Sequence, residues 1–177
     1  TMRRAGSRTL EKFEQQISFE NVSFGYKGRT ELFSNLNLTF KKGEITAIVG
    51  QSGSGKTTIV NLLLRMFDPT EGRVTVDGIP LSELTEESWL RKIGFVSQEL
   101  FIYHATFTDN IIFGRNSGAQ DSVDRATKIA NVHDFISDLP EGYETISGDR
   151  GMTISGGQQQ RLAIARAVLR SPEILIF

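Results

Sequence analysis

Residues 44–58 read EITAIVGQSGSGKTT, and the choice of fold turns on them. Glu44–Gly50 is a short, nearly continuous apolar run, the pattern of a strand buried on both faces of a parallel sheet between helices. A Gly-Ser-rich turn follows, and TTIVNLLLRMF then places its apolar residues on one helical face. Gly50–Thr57 fits G-x-x-x-x-G-K-[ST] and lies where that pattern works, directly after a strand and opening a helix. The expected phosphate-binding set is Gly50, Gln51, Ser52, Gly53, Ser54, Gly55, Lys56, Thr57 and Thr58. The glycines let the backbone wrap a polyphosphate with its N–H groups inward, and the helix N-terminus adds partial positive charge. Lys56 is expected to reach the β- and γ-phosphates, the Thr57 hydroxyl to ligate Mg²⁺, and Thr58 to donate to the α-phosphate.

On the N-terminal side, ISFENVSFGY and LFSNLNLTF alternate apolar and polar residues, as antiparallel strands with one wet face do. Residues 1–16 are polar, basic and aperiodic, and are expected to be a linker or a cloning remnant, with order starting near Ile17. On the C-terminal side come a polar hairpin at GRVTVDG, a helix near Glu86–Lys92 and a second buried strand at IGFVSQ. A mostly helical segment over about 106–170 follows, and then SPEILIF, a last strand of the buried parallel type. The predicted class is α/β: a phosphate-loop NTPase core with an antiparallel β subdomain and a helical subdomain.

The chain has 177 residues, a formal net charge of −1 and no cysteine. That length suits one ordinary domain, the charge argues against nucleic-acid binding by bulk electrostatics, and disulfide frameworks and Cys-based zinc sites are excluded. No apolar run approaches the length of a membrane-spanning helix.

A second motif narrows the field of nucleotide-binding proteins. Thr153–Arg161 reads TISGGQQQR, and in LAIARAVLR the apolar Leu162, Ala165, Val168 and Leu169 share one helical face. Ser155, Gly156 and Gly157 should therefore sit at a helix N-terminus, offering a hydroxyl and bare backbone amides in a second anion-binding geometry.

With both motifs in this order, the chain from Ile17 to Phe177 resembles the ATP-binding cassette (ABC) family, whose ATPase domains pair GxxGxGK[ST] with a signature close to LSGGQ. Here the signature is Ile154, Ser155, Gly156, Gly157 and Gln158, with Ile in place of the usual Leu. The resemblance implies ATP and Mg²⁺ as cofactors and a head-to-tail pair of domains, each nucleotide lying between one phosphate loop and the partner's signature. It further implies that Tyr26 stacks on adenine and that Gln98 contacts Mg²⁺ and the water near the γ-phosphate. The segment Gln98–Asn110 with FTDNIIFG resembles exporters, where it borders the surface receiving the membrane domain. Asp149, in SGDRG, stands where exporters usually have Glu. The family's acidic pair, an Asp for the Mg²⁺ shell and a Glu acting on water, is expected to follow the strand ending at Phe177, so residues 1–177 are read as a partial domain. The implied protein is an exporter ATPase at the cytoplasmic face of the membrane, with a second nucleotide-binding domain and a membrane-spanning domain as partners. A soluble cassette ATPase of DNA repair, chromosome organisation or translation is the alternative.

Overall fold

Alternation of apolar residues builds the first sheet. In the computed structural model, which describes residues 6–28, 30–113, 120–148 and 154–177, β1 (Gln16–Phe24) buries Ile17 and Phe19, then Val22 and Phe24. The change of parity is made by a register shift between Phe19 and Val22, where Asn21 takes a left-handed φ of 50°. Without this bulge, the second half of the strand would turn its apolar residues to solvent. Gly72 faces the bulge: a Cβ there would come within 2.2 Å of the Asn21 carbonyl oxygen. The antiparallel sheet has the order β2-β1-β3-β4, with β2 at Phe33–Lys41, β3 at Glu71–Val76 and β4 at Ile79–Pro80. Asp77 and Gly78, both at positive φ, make the tight turn of the last hairpin. Between β2 and β3 lies α1 (Lys56–Leu63), and α2 (Glu86–Leu90) follows a 3-10 turn at Leu81–Glu83. Trp89, fully buried, donates its indole N–H to the Leu63 carbonyl at 2.7 Å and so ties α2 to α1.

Two expectations are corrected here. Residues 6–16 pack on the fold and do not trail from it. Leu10 and Phe13 are 6% and 3% exposed. Arg8 N–H donates to Glu83 O at 3.0 Å, and Thr85 N–H returns a bond to Arg8 O at 2.8 Å. The Asp77 carboxylate accepts from three successive amides, those of Glu14, Gln15 and Gln16, at 2.7, 2.8 and 2.9 Å. Two apolar anchors in a polar run carry no periodicity, and Asp77 and Ser88, which accept from the segment's amides, lie more than sixty residues away, so composition alone reads the segment as solvated. Asp77→Asn should lower stability by about 1–2 kcal/mol, the scale of charge-assisted bonds at an exposed site. A urea midpoint unchanged from wild type would refute the clasp.

The second correction concerns Glu44–Gly50, expected to be a buried strand. It forms no strand, and Ile45 and Val49 are 103% and 88% exposed. An apolar run of this kind forms a ladder only when a neighbouring strand accepts its backbone bonds, and no described strand pairs with it.

On the polar face of the first sheet, Arg73 Nε donates to Glu20 at 2.7 Å and the Thr75 hydroxyl donates to the same carboxylate at 3.1 Å. The bond from Arg73 holds the Glu20 carboxyl below its usual value, outweighing the opposing effect of desolvation. A depressed folded-state pKa contributes stability above the unfolded value near 4.5 that is lost as pH falls through the folded value. The stability gap between wild type and Glu20→Gln should therefore close on acidification below that point; a gap that stays constant would argue against the pair.

The chain divides into two compact units, the first ending at Lys92 and the second running from Ile93 to Phe177. In the second, β5 (Ile93–Phe95) and β8 (Ile174–Ile176) pair in parallel, as expected of strands in an α/β core. Leu175 and Phe177 are 45% and 74% exposed, so β8 lacks the burial on both faces that its composition suggests. The helical segment holds α3 (Phe107–Ile112), α4 (Gln120–Ile129), α5 (His133–Ser137) and α6 (Gly156–Val168), with a short antiparallel pair of β6 (Ala105–Thr106) and β7 (Ile146–Ser147). Its core gathers Phe107, Ile111, Val123, Ile136, Leu162 and Ala165, all fully buried. Asn110, 1% exposed, is the polar centre of this unit. Its side-chain amide donates to Tyr103 O and Thr106 O, and its oxygen accepts from Tyr103 N–H. The Tyr143 hydroxyl, its pKa pushed up by burial, lies 2.6 Å from Thr127 Oγ1 and 2.8 Å from His133 Nδ1.

Candidate functional site

The turn Gly50–Gly55 leads into α1 with backbone that side chains would spoil. Gly53 and Gly55 have φ of 81° and 93°, and a Cβ on Gly55 would meet the Phe33 ring at 2.4 Å. The N-cap of α1 is Gly55 and supplies no side-chain acceptor. By contrast, Thr85, Thr106 and Ser155 each cap their helices by accepting from the backbone N–H three residues on. The first-turn amides of α1 are thus left without a capping side chain, the condition an anion can satisfy. Lys56 reaches back over the turn, donating to the carbonyls of Gly50 and Gln51 at 2.8 Å each. Both acceptors are neutral, so the ammonium keeps its charge and one further N–H. Ser54 N–H closes the turn on Gln51 O at 3.2 Å, while Gln51, Ser52 and Thr57 are exposed.

Thr58 is 4% exposed, and its hydroxyl lies 3.0 Å from that of Tyr26. When Tyr26 is the donor in that pair, the Thr58 proton is left for a further acceptor. The Tyr26 ring meets Phe24 and Phe67 edge-on, with centroids 5.1 and 5.4 Å away. The structure therefore brings Tyr26 to the same helix as the phosphate loop, within an aromatic cluster.

Gln98 is exposed just beyond β5, in the second unit. Ile154, 6% exposed, anchors the signature stretch, and Ser155 caps α6 in a reciprocal box. Ser155 Oγ accepts from Gln158 N–H at 3.3 Å, and Gln158 Oε1 accepts from Ser155 N–H at 2.8 Å. A Cβ on Gly156 or Gly157 would meet nothing within 4 Å. Packing among the described residues does not require glycine at either position, so a side chain's absence there leaves open space. Asp149 and Thr153 lie outside the described residues.

Sequence reasoning passed over Arg166. On α6, Arg166 Nε donates to Asn110 O at 2.8 Å and Nη1 to Phe101 O at 3.2 Å. Its guanidinium lies 5.9 and 5.6 Å from the ring centres of Tyr103 and Phe113, themselves stacked at 4.2 Å. Burial lowers its pKa, but an arginine stays protonated. Phe101 and Phe113 are 69% and 50% exposed, forming an aromatic patch steadied by that cation. The clue in the sequence was an arginine set between Ala165 and Ala167 on an otherwise apolar face.

Among described residues no group of three or more His, Cys, Asp or Glu could hold a metal ion. The uncapped α1 terminus, the glycine turn and the charged Lys56 suit the phosphates, and the exposed hydroxyl of Thr57 suits Mg²⁺.

Residues 33–177 match the family described as ABC transporter. The chain is 49% identical over 162 residues to an uncharacterized ABC transporter ATP-binding protein of Sinorhizobium fredii, covering 92% of this chain and 28% of that protein. It is 49% identical over 164 residues to the mitochondrial potassium channel ATP-binding subunit of Rattus norvegicus, covering 90% of this chain and 23% of that one. The solved structure of a bacterial Atm1-family ABC exporter with ATP bound superposes with a TM-score of 0.86 at 40% identity, covering 97% of this chain and 30% of that one. The chain thus spans under a third of the length of the relatives it matches. By fold, phosphate loop and sequence, the chain belongs to the ABC transporter family.

Proposed function

We propose that this chain is the ATP-binding part of an ABC exporter. Mg-ATP lies on Gly50–Thr58, with Lys56 toward the β- and γ-phosphates and Thr57 and Gln98 serving the Mg²⁺ shell. Tyr26 receives the adenine, and Ile154–Gln158 meets the nucleotide held by a second such domain. The observation that carries this reading is the uncapped N-terminus of α1 behind a glycine turn, with the free charge of Lys56 above it. The open space over Gly156 and Gly157 supports the second half-site. The relative named as a transporter ATP-binding protein and the solved ABC exporter favour an exporter over a soluble cassette ATPase.

The cofactor supplies the hydrolysable phosphoanhydride, and bound Mg²⁺ neutralises part of its charge. The residues of this chain bind, orient and count charge: backbone amides and Lys56 hold the phosphates, and Gln98 orients water. In this reading the aromatic patch of Phe101, Tyr103 and Phe113 docks on the membrane-spanning partner, and the domain works at the cytoplasmic face of a membrane. Hydrogen exchange tests the nucleotide site. Mg-ATP should slow exchange of the Gly53–Thr58 amides, and amides that exchange equally fast with and without it would sink the reading. Tyr26→Ala should weaken ATP and GTP binding alike by roughly fivefold, the value of about 1 kcal/mol of stacking; a strong preference for one purine would mean a base-specific contact governs instead.

A further inference from the structure

Beyond the end of α1 stands an aromatic residue that burial does not explain. Phe67 is 40% exposed, so removal from water alone gives little reason for a ring at this position. The backbone nevertheless fixes it from both sides. On its N-terminal side, Arg65 closes α1 at a left-handed φ of 53°, its N–H donating to Leu62 O while Met66 N–H donates to Asn61 O. On its C-terminal side, Thr70 is tied to β1, its N–H and its hydroxyl both donating to Ser23 O, at 2.9 and 2.8 Å. Phe67 therefore projects from a short segment held at both ends, next to the strand that ends in Phe24.

What the ring meets is Tyr26. The two lie nearly perpendicular, at 89°, with centroids 5.4 Å apart, and Phe24 stands 5.1 Å from Tyr26 at 83°. Phe24 and Phe67 are themselves 5.7 Å apart, which closes a triangle of rings with Tyr26 at one corner. The Tyr26 hydroxyl, 3.0 Å from that of Thr58, gives a further point of attachment. Neither neighbouring ring lies flat against Tyr26, so both brace it without taking the parallel position that a stacked base would use. Phe24 is 4% exposed and belongs to the sheet core. Phe67, half in solvent, has no such duty.

We propose that Phe67 is a positioning residue for the base: by its edge-on contact it holds the Tyr26 ring at the angle from which that ring stacks on adenine. This rests on the proposed adenine role of Tyr26 and names a side chain on which that role depends. A ring that must be ordered when its ligand arrives loses part of the contact to entropy, whereas a ring already braced does not. The phosphates are held by the Gly50–Thr58 turn and by Lys56, so the effect of Phe67 is confined to ligands that carry a base.

Calorimetry on the chain, comparing Mg-ATP with Mg-tripolyphosphate, which has the phosphates and no base, tests this. Phe67→Ala should weaken Mg-ATP by roughly threefold, most of the stacking effect of Tyr26 itself, and leave Mg-tripolyphosphate as in wild type. Phe67→Tyr, whose hydroxyl can point to water, should restore ATP affinity. In a Tyr26→Ala background, Phe67→Ala should change nothing further. The proposal is overturned if Phe67→Ala binds ATP as wild type does, if it weakens both ligands alike, which is damage to the fold, or if its effect persists undiminished without Tyr26. Those outcomes leave the adenine role of Tyr26 standing. Tyr26→Ala that binds ATP as wild type does would instead remove that role and this proposal together.

Discussion

Lys56→Ala should reduce Mg-ATP affinity by roughly one to two orders of magnitude, because a charge-assisted bond to a phosphate oxygen contributes on the order of 1.5–3 kcal/mol. Lys56 now spends two of its three donors on the carbonyls of Gly50 and Gln51. Those contacts pre-place the ammonium over the turn, so little reorganisation is needed when phosphate arrives. Lys56 is not part of the buried core, so the variant should melt close to wild type, which separates loss of binding from loss of fold. Calorimetric titration with Mg-ATP decides the matter: unchanged affinity in a folded variant would remove the phosphate-loop assignment.

Gly157→Asp should abolish ATP-driven pairing of two domains, weakening it about a hundredfold or more, while sparing the nucleotide affinity of one domain. Position 157 lies in the first turn of α6, where an acidic side chain favours the helix dipole, and a Cβ there meets nothing within 4 Å. The substitution is therefore benign for folding. Its carboxylate, however, would stand where a partner's γ-phosphate is expected, replacing bare amides with a like charge. Sedimentation in Mg-ATP reads the result, and pairing that persists in Gly157→Asp would detach the Ser155–Gln158 stretch from the partner's nucleotide.

The phosphate loop and the Ser155 cap were legible because their information is local. A glycine needed at positive φ, or a hydroxyl three residues before its amide, is written within one turn of chain. The Asp77 clasp was not legible, since it is made by groups brought together from distant segments. Glu44–Gly50 shows a third case. Its composition expresses what the segment would do between neighbours, and a strand is a property of the pair. Tyr26 lies beside the loop, and its hydroxyl bond to Thr58 and its edge-on aromatic neighbours depend on side-chain directions that spacing does not encode.

The clasp also sets an order of events during synthesis. Residues 6–16 leave the ribosome before the groups that hold them, Asp77, Glu83, Thr85 and Ser88, which are made last in the first unit. At about 5–20 residues per second, the N-terminal segment waits several seconds with Leu10 and Phe13 uncovered. Contacts of such long sequence separation slow folding, because the loop must close before any bond repays it. The first unit can therefore be sealed only after α2 has emerged, and a nascent chain halted before Trp89 would offer Leu10 and Phe13 to any chaperone that reads apolar side chains.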